Sequence, residues 1–252
     1  MFETLKEKNP RWLFMSVVGS RNYGTATPES DTDVKVAYLP TFNEFYSGKF
    51  KHVDSSGPDQ DLDFTVHPVH EFLRHAFKGN MNFWEVFFSD SIELNFGLDV
   101  LNDEFLMNAR NAVSLNYTAN FNAMRGMSYQ KWKGITKHVN DPARWWKDAQ
   151  HTVRMLDTIL LYGETSDLYL DVNSVDDTEW FDWKGRDILT SDDIAYVVQL
   201  VAEKIQKVDS FEEAFENVHF EKSFARRVHM ANCESLVKRL IKKEMSQEFM
   251  SR

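Results

Sequence analysis

The sequence predicts an α/β front domain over residues 1–110 and a helical domain over residues 111–252. Three observations carry that expectation. Short apolar, β-branched runs that stop at Gly, Ser or Pro occupy the first 70 residues. From about residue 100 the apolar positions recur at helical spacing instead. No internal repeat or low-complexity tract interrupts the chain, so neither a solenoid nor a linker-rich array fits.

Residues 11–18 (RWLFMSVV) read as a buried strand that meets a loop at Gly19-Ser20. The loop GSRNYGTATPES is rich in Gly, Pro, Thr and Ser and should be irregular. Residues 33–39 (DVKVAYL) alternate and stop at Pro40, a second strand. Residues 41–58 form a short helix and a loose connection, with Ser55-Ser56-Gly57-Pro58 as turn material. DLDFTV (61–66) is a third strand. After Pro68, Val69, Phe72, Leu73 and Phe77 recur at helical spacing, and Gly79-Asn80 stops the helix. The strongest helical pattern is 143–162, with Trp146, Val153, Leu156 and Leu160 along one face. Residues 164–189 are acidic and Trp-rich without clear periodicity; helices resume at about 191–207 and 220–246.

Composition excludes several classes. At 252 residues with 42% hydrophobic and 14% aromatic side chains, the chain is neither disordered nor fibrous and buries a core without staples. Its single cysteine, Cys233, excludes a disulfide framework and any cysteine-based zinc or iron–sulfur site. No apolar run reaches the roughly 18 residues of a membrane span. The opening MFETLKEKNPRW lacks the charged-then-apolar pattern of a signal peptide. The expectation is a soluble, cytoplasmic protein with no membrane partner. A net charge of −10 has the wrong sign for coating nucleic acid. That charge is uneven: residues 1–110 hold 10 basic and 17 acidic side chains, whereas 222–243 hold seven Lys/Arg against Glu234.

Four motifs almost fit and fail. Gly19 and Gly24 have P-loop spacing, but Thr25 and Ala26 stand where Lys and Ser/Thr should come next. His70-Glu71 and His75 are one residue too far apart for a zinc-binding helix face. Asp59, Asp61 and Asp63 mimic an EF-hand start, yet Phe64 and His70 replace the required Gly and Glu. Ser20 lacks the nucleophile-elbow glycines.

The constellation that survives is Gly19-Ser20, then Ser30-Asp31-Thr32-Asp33, then Asp63 on the next predicted strand. Carboxylates at i and i+2 on a strand project from one face. Held that close they repel, and each tends to take up a proton unless a cation sits between them. Mg²⁺ takes carboxylate and phosphate oxygens, and a third carboxylate on the neighbouring strand completes a two-metal clamp. Gly19-Ser20 at a strand end offers a backbone N–H and a hydroxyl to a phosphate. Phosphoryl and nucleotidyl transfer require these parts. Plainer readings stand beside this one. Asp-x-Asp after a serine also makes a turn or cap, Asp63 alone is a solvated edge carboxylate, and His67, His70 and His75 read as packed or surface histidines.

The stretch GSRNYGTATPESDTDVKVAYLP resembles the signature of the DNA polymerase β-like nucleotidyltransferase superfamily, in which a Gly-Ser precedes an Asp-x-Asp strand and a third Asp lies on a later one. More narrowly it resembles the RNA-ligase-associated nucleotidyltransferases of bacteria and bacteriophages. Their pattern G-S-x-x-Y-G-x-x-x-x-x-S-D-x-D is filled at every fixed position from Gly19 to Asp33. Asp63, Phe72-Leu73, Lys78-Gly79-Asn80 and Glu85 resemble the next conserved segment of that family, with Met81 departing from its usual Pro and a short linker between Asp33 and Asp63. Lys147, His151, Arg154 and Gly163 resemble a second, looser family pattern. At 100° per residue Arg144, Lys147, His151 and Arg154 share one narrow stripe, opposite Val153, Leu156 and Leu160. Such a stripe is either an ordinary solvated face or one turned across a cleft at the carboxylates.

The resemblance implies an α+β fold: a small mixed sheet flanked by helices, with Asp31, Asp33 and Asp63 on adjacent strands, ahead of a helical domain. It implies transfer of a nucleoside monophosphate from a nucleoside triphosphate to an acceptor hydroxyl, RNA foremost. Asp31, Asp33 and Asp63 would hold two Mg²⁺ ions, with Mn²⁺ as the alternative. Asp63 would serve as general base or as a ligand of the ion that activates the acceptor oxygen. Gly19, Ser20, Arg21 and Ser30 would bind the nucleotide, and Lys147, His151 and Arg154 would neutralise the leaving pyrophosphate. Within 222–243, Lys222, Arg226, Arg227, Lys238, Arg239, Lys242 and Lys243 are a candidate footprint for an RNA backbone. Trp132, Trp145 and Trp146 are candidates for base stacking or, at their helical spacing, for core. Two alternatives remain: the same chemistry on a protein or small molecule, and a non-catalytic nucleotide- or RNA-binding protein.

Overall fold

The computed structural model describes residues 2–9, 11–28, 30–55, 62–95, 103–165, 168, 180–212 and 220–250. Among them is one five-stranded mixed sheet: β1 (Trp12–Val18), β2 (Thr32–Tyr38), β3 (Val53–Ser55), β4 (Leu62–Pro68) and β5 (Glu93–Leu94), in the order β3-β4-β2-β1-β5. β2 and β4 run parallel, and every other pairing is antiparallel. β1 is a nearly continuous apolar run because it lies inside the sheet and is covered on both faces.

On one face Met15, Val34, Val36, Phe64 and Val66 pack beneath Leu5 of α1 (Phe2–Lys8). On the other, Phe14 meets Phe72 edge-on at 5.1 Å, Phe87 at 5.5 Å and Phe105 at 5.9 Å. Those rings come from α3 (Val69–Phe77), the 3-10 turn Glu85–Phe88 and α5 (Asp103–Ser114). Two shorter helices complete this region: α2 (Phe42–Ser47), closed by a Thr41–Glu44 capping box, and α4 (Met81–Trp84), capped by Asn80.

The helical region contains α6 (Tyr117–Ile135), α7 (Pro142–Thr165) and α8 (Ser191–Ser210), and α9 (Phe220–Met250) comes after them. The chain groups into two compact units, Met1–Asn116 with Glu221–Arg252, and Tyr117–Phe220. α9 therefore returns to the sheet-bearing unit. There the Arg226 guanidinium donates to the Phe77 carbonyl at 2.5 Å, His229 hydrogen-bonds Asn108 at 2.8 Å, and the Cys233 thiol faces the Phe105 carbonyl at 3.8 Å. Within the second unit α7 packs against both α6 and α8, and Tyr117 stacks on Tyr162 at 5.5 Å.

The strands expected at 11–18, 33–39 and 61–66 are β1, β2 and β4, and the expected helices at 143–162, 191–207 and 220–246 are α7, α8 and α9. β3 and β5 carry no separate sequence signal; at three and two residues they are too short for alternation to show. The expected turn beyond Ser55, including Ser56, Gly57 and Pro58, lies outside the described residues. So do Asp59, Asp61 and half of the acidic Trp-rich stretch. No helix among the described residues is long and apolar enough to cross a membrane.

Candidate active site

Register builds the site. In the parallel ladder Asp33 of β2 stands directly opposite Asp63 of β4, and on its other side Asp33 pairs with Val18, the last residue of β1. Both carboxylates therefore leave the same sheet face near the start of their strands, beside the loop after β1. Asp31 precedes β2, and one oxygen from each of Asp31, Asp33 and Asp63 lies within 4.8 Å of the others. Asp31 is exposed and its two neighbours are half-buried. Among the described residues this is the one such grouping of metal-capable side chains.

Three carboxylates so close are unfavourable without positive charge among them. Burial and then the Asp31 charge raise the pKa of Asp33 above the ordinary carboxylate range, and Asp63 and Glu85 add to the rise. Lys35, two residues along β2, opposes it. The donor set is all hard carboxylate oxygen with open access through Asp31, which fits Mg²⁺ or Mn²⁺ rather than a metal wanting nitrogen or sulfur.

Gly19 opens a 3-10 turn, Gly19–Arg21, with φ of +68°. A Cβ there would lie 2.4 Å from Asp33 Oδ2. Both the left-handed backbone and the close approach to the carboxylate thus require glycine. Ser20 sits half-buried in that turn, and its carbonyl accepts the Thr25 N–H at 2.9 Å. The Arg21 guanidinium donates to the Ser30 carbonyl at 2.6 Å and the Asp31 carbonyl at 3.2 Å. It thereby holds the end of the loop that delivers Asp31. The Ser30 hydroxyl accepts the Thr27 N–H at 2.9 Å, closing the turn before the acidic pair. Arg21 and Ser30 are thus engaged in shaping the loop. Asn22 Nδ2, in the same loop, is buried with no hydrogen-bond partner among the described residues.

A buried support lies beneath the carboxylates. Glu85, only 3% exposed, accepts from Lys35 Nζ at 2.8 Å through one oxygen and from the Tyr23 hydroxyl through the other. The sequence places Tyr23 and Glu85 in a family pattern without giving either a role, and sequence reasoning misses Lys35. The signal for Lys35 is its i+2 spacing from Asp33, which puts it on the carboxylate face. Thr65, opposite Lys35 in the ladder, carries a buried hydroxyl with no partner among the described residues.

The histidines are packed, not ligating. His67 lies among Phe72, Phe83 and His52, and His75 stacks on Phe83 at 4.8 Å. Burial, then nearby positive charge, pushes His67 down to about 4.

In the second unit the stripe on α7 is graded rather than uniformly outward. Arg144 and Lys147 are exposed, His151 is half-buried, and Arg154 is 6% exposed. Residues 152–159 are all buried because α6 and α8 both cover α7, leaving no solvated side at Arg154. Arg144, Lys131 and His138 converge on buried Asp148 at 3.4, 3.1 and 3.7 Å. Burial, then Arg154 and Lys131, pushes His151 down to about 3, so at neutral pH it offers an uncharged imidazole. Trp145 and Trp146 are core.

No curated protein matches the chain. The RNA repair pathway DNA polymerase beta family (RlaP) matches residues 1–159, from α1 into α7. A match of that length, with the Gly-Ser turn and all three carboxylates inside it, makes the chain a member of the RlaP family of polymerase β-like nucleotidyltransferases.

Proposed function

We propose that the protein transfers a nucleoside monophosphate from a nucleoside triphosphate to a hydroxyl of RNA, releasing pyrophosphate. The observation that carries this reading is the in-register pair Asp33 and Asp63, joined by Asp31 within 4.8 Å beside a Gly-Ser turn. The family description, an RNA repair pathway, supports RNA as the acceptor.

In this reading Asp31, Asp33 and Asp63 hold divalent cations, Mg²⁺ foremost. Bound there, the cations neutralise the triphosphate and lower the pKa of the acceptor hydroxyl. The acceptor oxygen forms a bond to the α-phosphorus as the bond from that phosphorus to the β-bridging oxygen breaks. The hydroxyl proton passes to Asp63, which returns it to solvent. Gly19 and Ser20 offer the triphosphate a backbone N–H and a hydroxyl, while Arg21 and Ser30 keep the loop in shape. Lys147 and His151 enter on the family pattern and on chemistry, since a cation and a neutral hydrogen-bonding imidazole suit a pyrophosphate group, whereas Arg154, 6% exposed, enters on the family pattern alone.

The test combines purified protein, Mg²⁺, each α-labelled nucleoside triphosphate and total RNA, beside an Asp31→Asn/Asp33→Asn control. Label entering ribonuclease-sensitive material only with intact carboxylates is the expected result, and it names the nucleotide. Label entering protein instead moves the acceptor. Nucleotide binding without any transfer overturns the catalytic reading.

A further inference from the structure

Within the sheet-bearing unit α3 and α9 leave a groove of about 440 Å³. Its floor is apolar: Leu73 and Phe77 from α3, with Met230, Val237 and Ile241 from α9. Its rim is cationic, with Arg74 and Lys78 on one side and Lys238 on the other; Arg74 lies 4.0 Å from Glu71 and Lys238 3.5 Å from Glu234, while Arg226 is turned onto the Phe77 carbonyl. A chain with net charge −10 thus concentrates positive charge here. Around α9, over the same turns, the groove borders a shallower depression that shares Glu234 and Lys238 and adds Arg239 and Lys242. That second part has only Ala231 and Ser235 between its charged side chains.

We infer that this groove holds single-stranded RNA next to the reacting end, the bases over the apolar floor and the phosphates along the rim. The inference rests on the RNA-acceptor reading above and names where the acceptor lies. Two features choose the occupant. An apolar floor suits flat, unpaired bases, which a duplex keeps stacked inside itself. Across α9, beside the groove, the surface loses its apolar floor while keeping its cations. An amphipathic acidic peptide needs apolar anchors along its whole length, whereas a nucleic-acid strand still presents phosphates there. Position agrees. β4 carries Asp63 at its start and runs without a loop into α3, so Asp63 lies at most about one strand length, on the order of 20 Å, from the start of the helix that forms one wall of the groove. A few nucleotides span that gap.

Lys78, Lys238 and Lys242 are exposed, so the variant Lys78→Gln/Lys238→Gln/Lys242→Gln keeps the core intact, which its melting temperature checks. The measurement is fluorescence anisotropy of a labelled single-stranded RNA with the full chain, across a potassium chloride series and without triphosphate. The expected result is at least a tenfold loss of affinity in the triple variant. Its slope of log affinity against log salt should be shallower by about 2, roughly 0.7 for each lysine. Wild-type-like binding by the triple variant overturns the inference, as does equal, lysine-dependent binding of the same sequence as a duplex. An acidic amphipathic peptide that binds through these lysines when RNA does not assigns the groove to a protein partner instead. If the triple variant labels RNA with an unchanged KM, the groove is wrong and the acceptor reading stands. If the wild type labels no RNA, the acceptor reading itself falls.

Discussion

The Tyr23 hydroxyl donates to Glu85, 62 residues away in sequence and almost fully buried. Through the other oxygen of the same carboxylate, Lys35 is held two residues from Asp33. One side chain therefore ties the Gly-Ser loop, the Asp-x-Asp strand and the 3-10 turn after α4 into a single support. It also fixes the position of Lys35, the cation on β2 that opposes the rise in the Asp33 pKa.

Glu85→Gln should consequently disturb two things at once. It leaves Lys35 largely buried without its counter-charge, a loss on the order of 3 kcal/mol in stability. Tyr23→Phe removes only the loop tether, at about 1–2 kcal/mol. Thermal unfolding should rank wild type above Tyr23→Phe above Glu85→Gln. If Glu85→Gln melts like the wild type, the pair is not a support.

Gly19→Ala should be damaging out of proportion to its single methyl. The new Cβ meets Asp33 Oδ2 at 2.4 Å, and the φ of +68° is strained for alanine, about 1–3 kcal/mol. Since it is a metal-binding carboxylate in the proposed function that must move, nucleotide transfer should fall by roughly two orders of magnitude. The melting temperature should fall only by several degrees. An active Gly19→Ala protein would mean that the turn does not position Asp33.

The legibility of each feature in the sequence depends on the distance over which its signal acts. Gly19, Ser20, Asp31 and Asp33 sit within one strand-loop-strand unit, and period-2 alternation alone puts Asp33 and Lys35 on one face. Asp63 is legible as the next strand's carboxylate, although only the ladder shows it in register with its partner. The Tyr23–Glu85 contact is not legible, because nothing local in either residue specifies the other. α9 shows the same limit: its periodicity announces a helix but not that it returns to Phe105 and Asn108. Arg154 fails for a related reason. A one-sided helix would turn it outward, but α7 is covered from two sides.

Asp33 yields a prediction whose sign is fixed by its environment. Its folded pKa is raised, by burial first and by Asp31 second, so its contribution to stability is present below the unfolded value and lost as pH rises through the folded one. At neutral pH without divalent ions the ionised carboxylate therefore opposes folding. Asp33→Asn should raise the melting temperature in chelator. Mg²⁺ should stabilise the wild type and leave Asp33→Asn nearly unchanged. A variant that melts lower in chelator, or that responds fully to Mg²⁺, would contradict the cation role of this carboxylate.

His151 runs the opposite way. Its folded pKa is depressed to about 3, by burial and then by Arg154 and Lys131, so the stability it contributes is present above the unfolded value near 6.5 and lost as pH falls toward 3. Protonating it would bury a third positive charge beside Arg154 and Lys131. His67, held at about 4, acts in the same direction over a narrower window. His151→Gln, which keeps a hydrogen-bonding side chain but cannot charge, should flatten the fall of melting temperature between pH 6 and pH 4, with the remaining slope due in part to His67. The same variant should leave the pH dependence of nucleotide binding between 6 and 8 unchanged, since the imidazole is already neutral across that range. A binding curve that titrates near 6.5 in the wild type and loses that step in His151→Gln would show instead that the charged imidazole engages the phosphates.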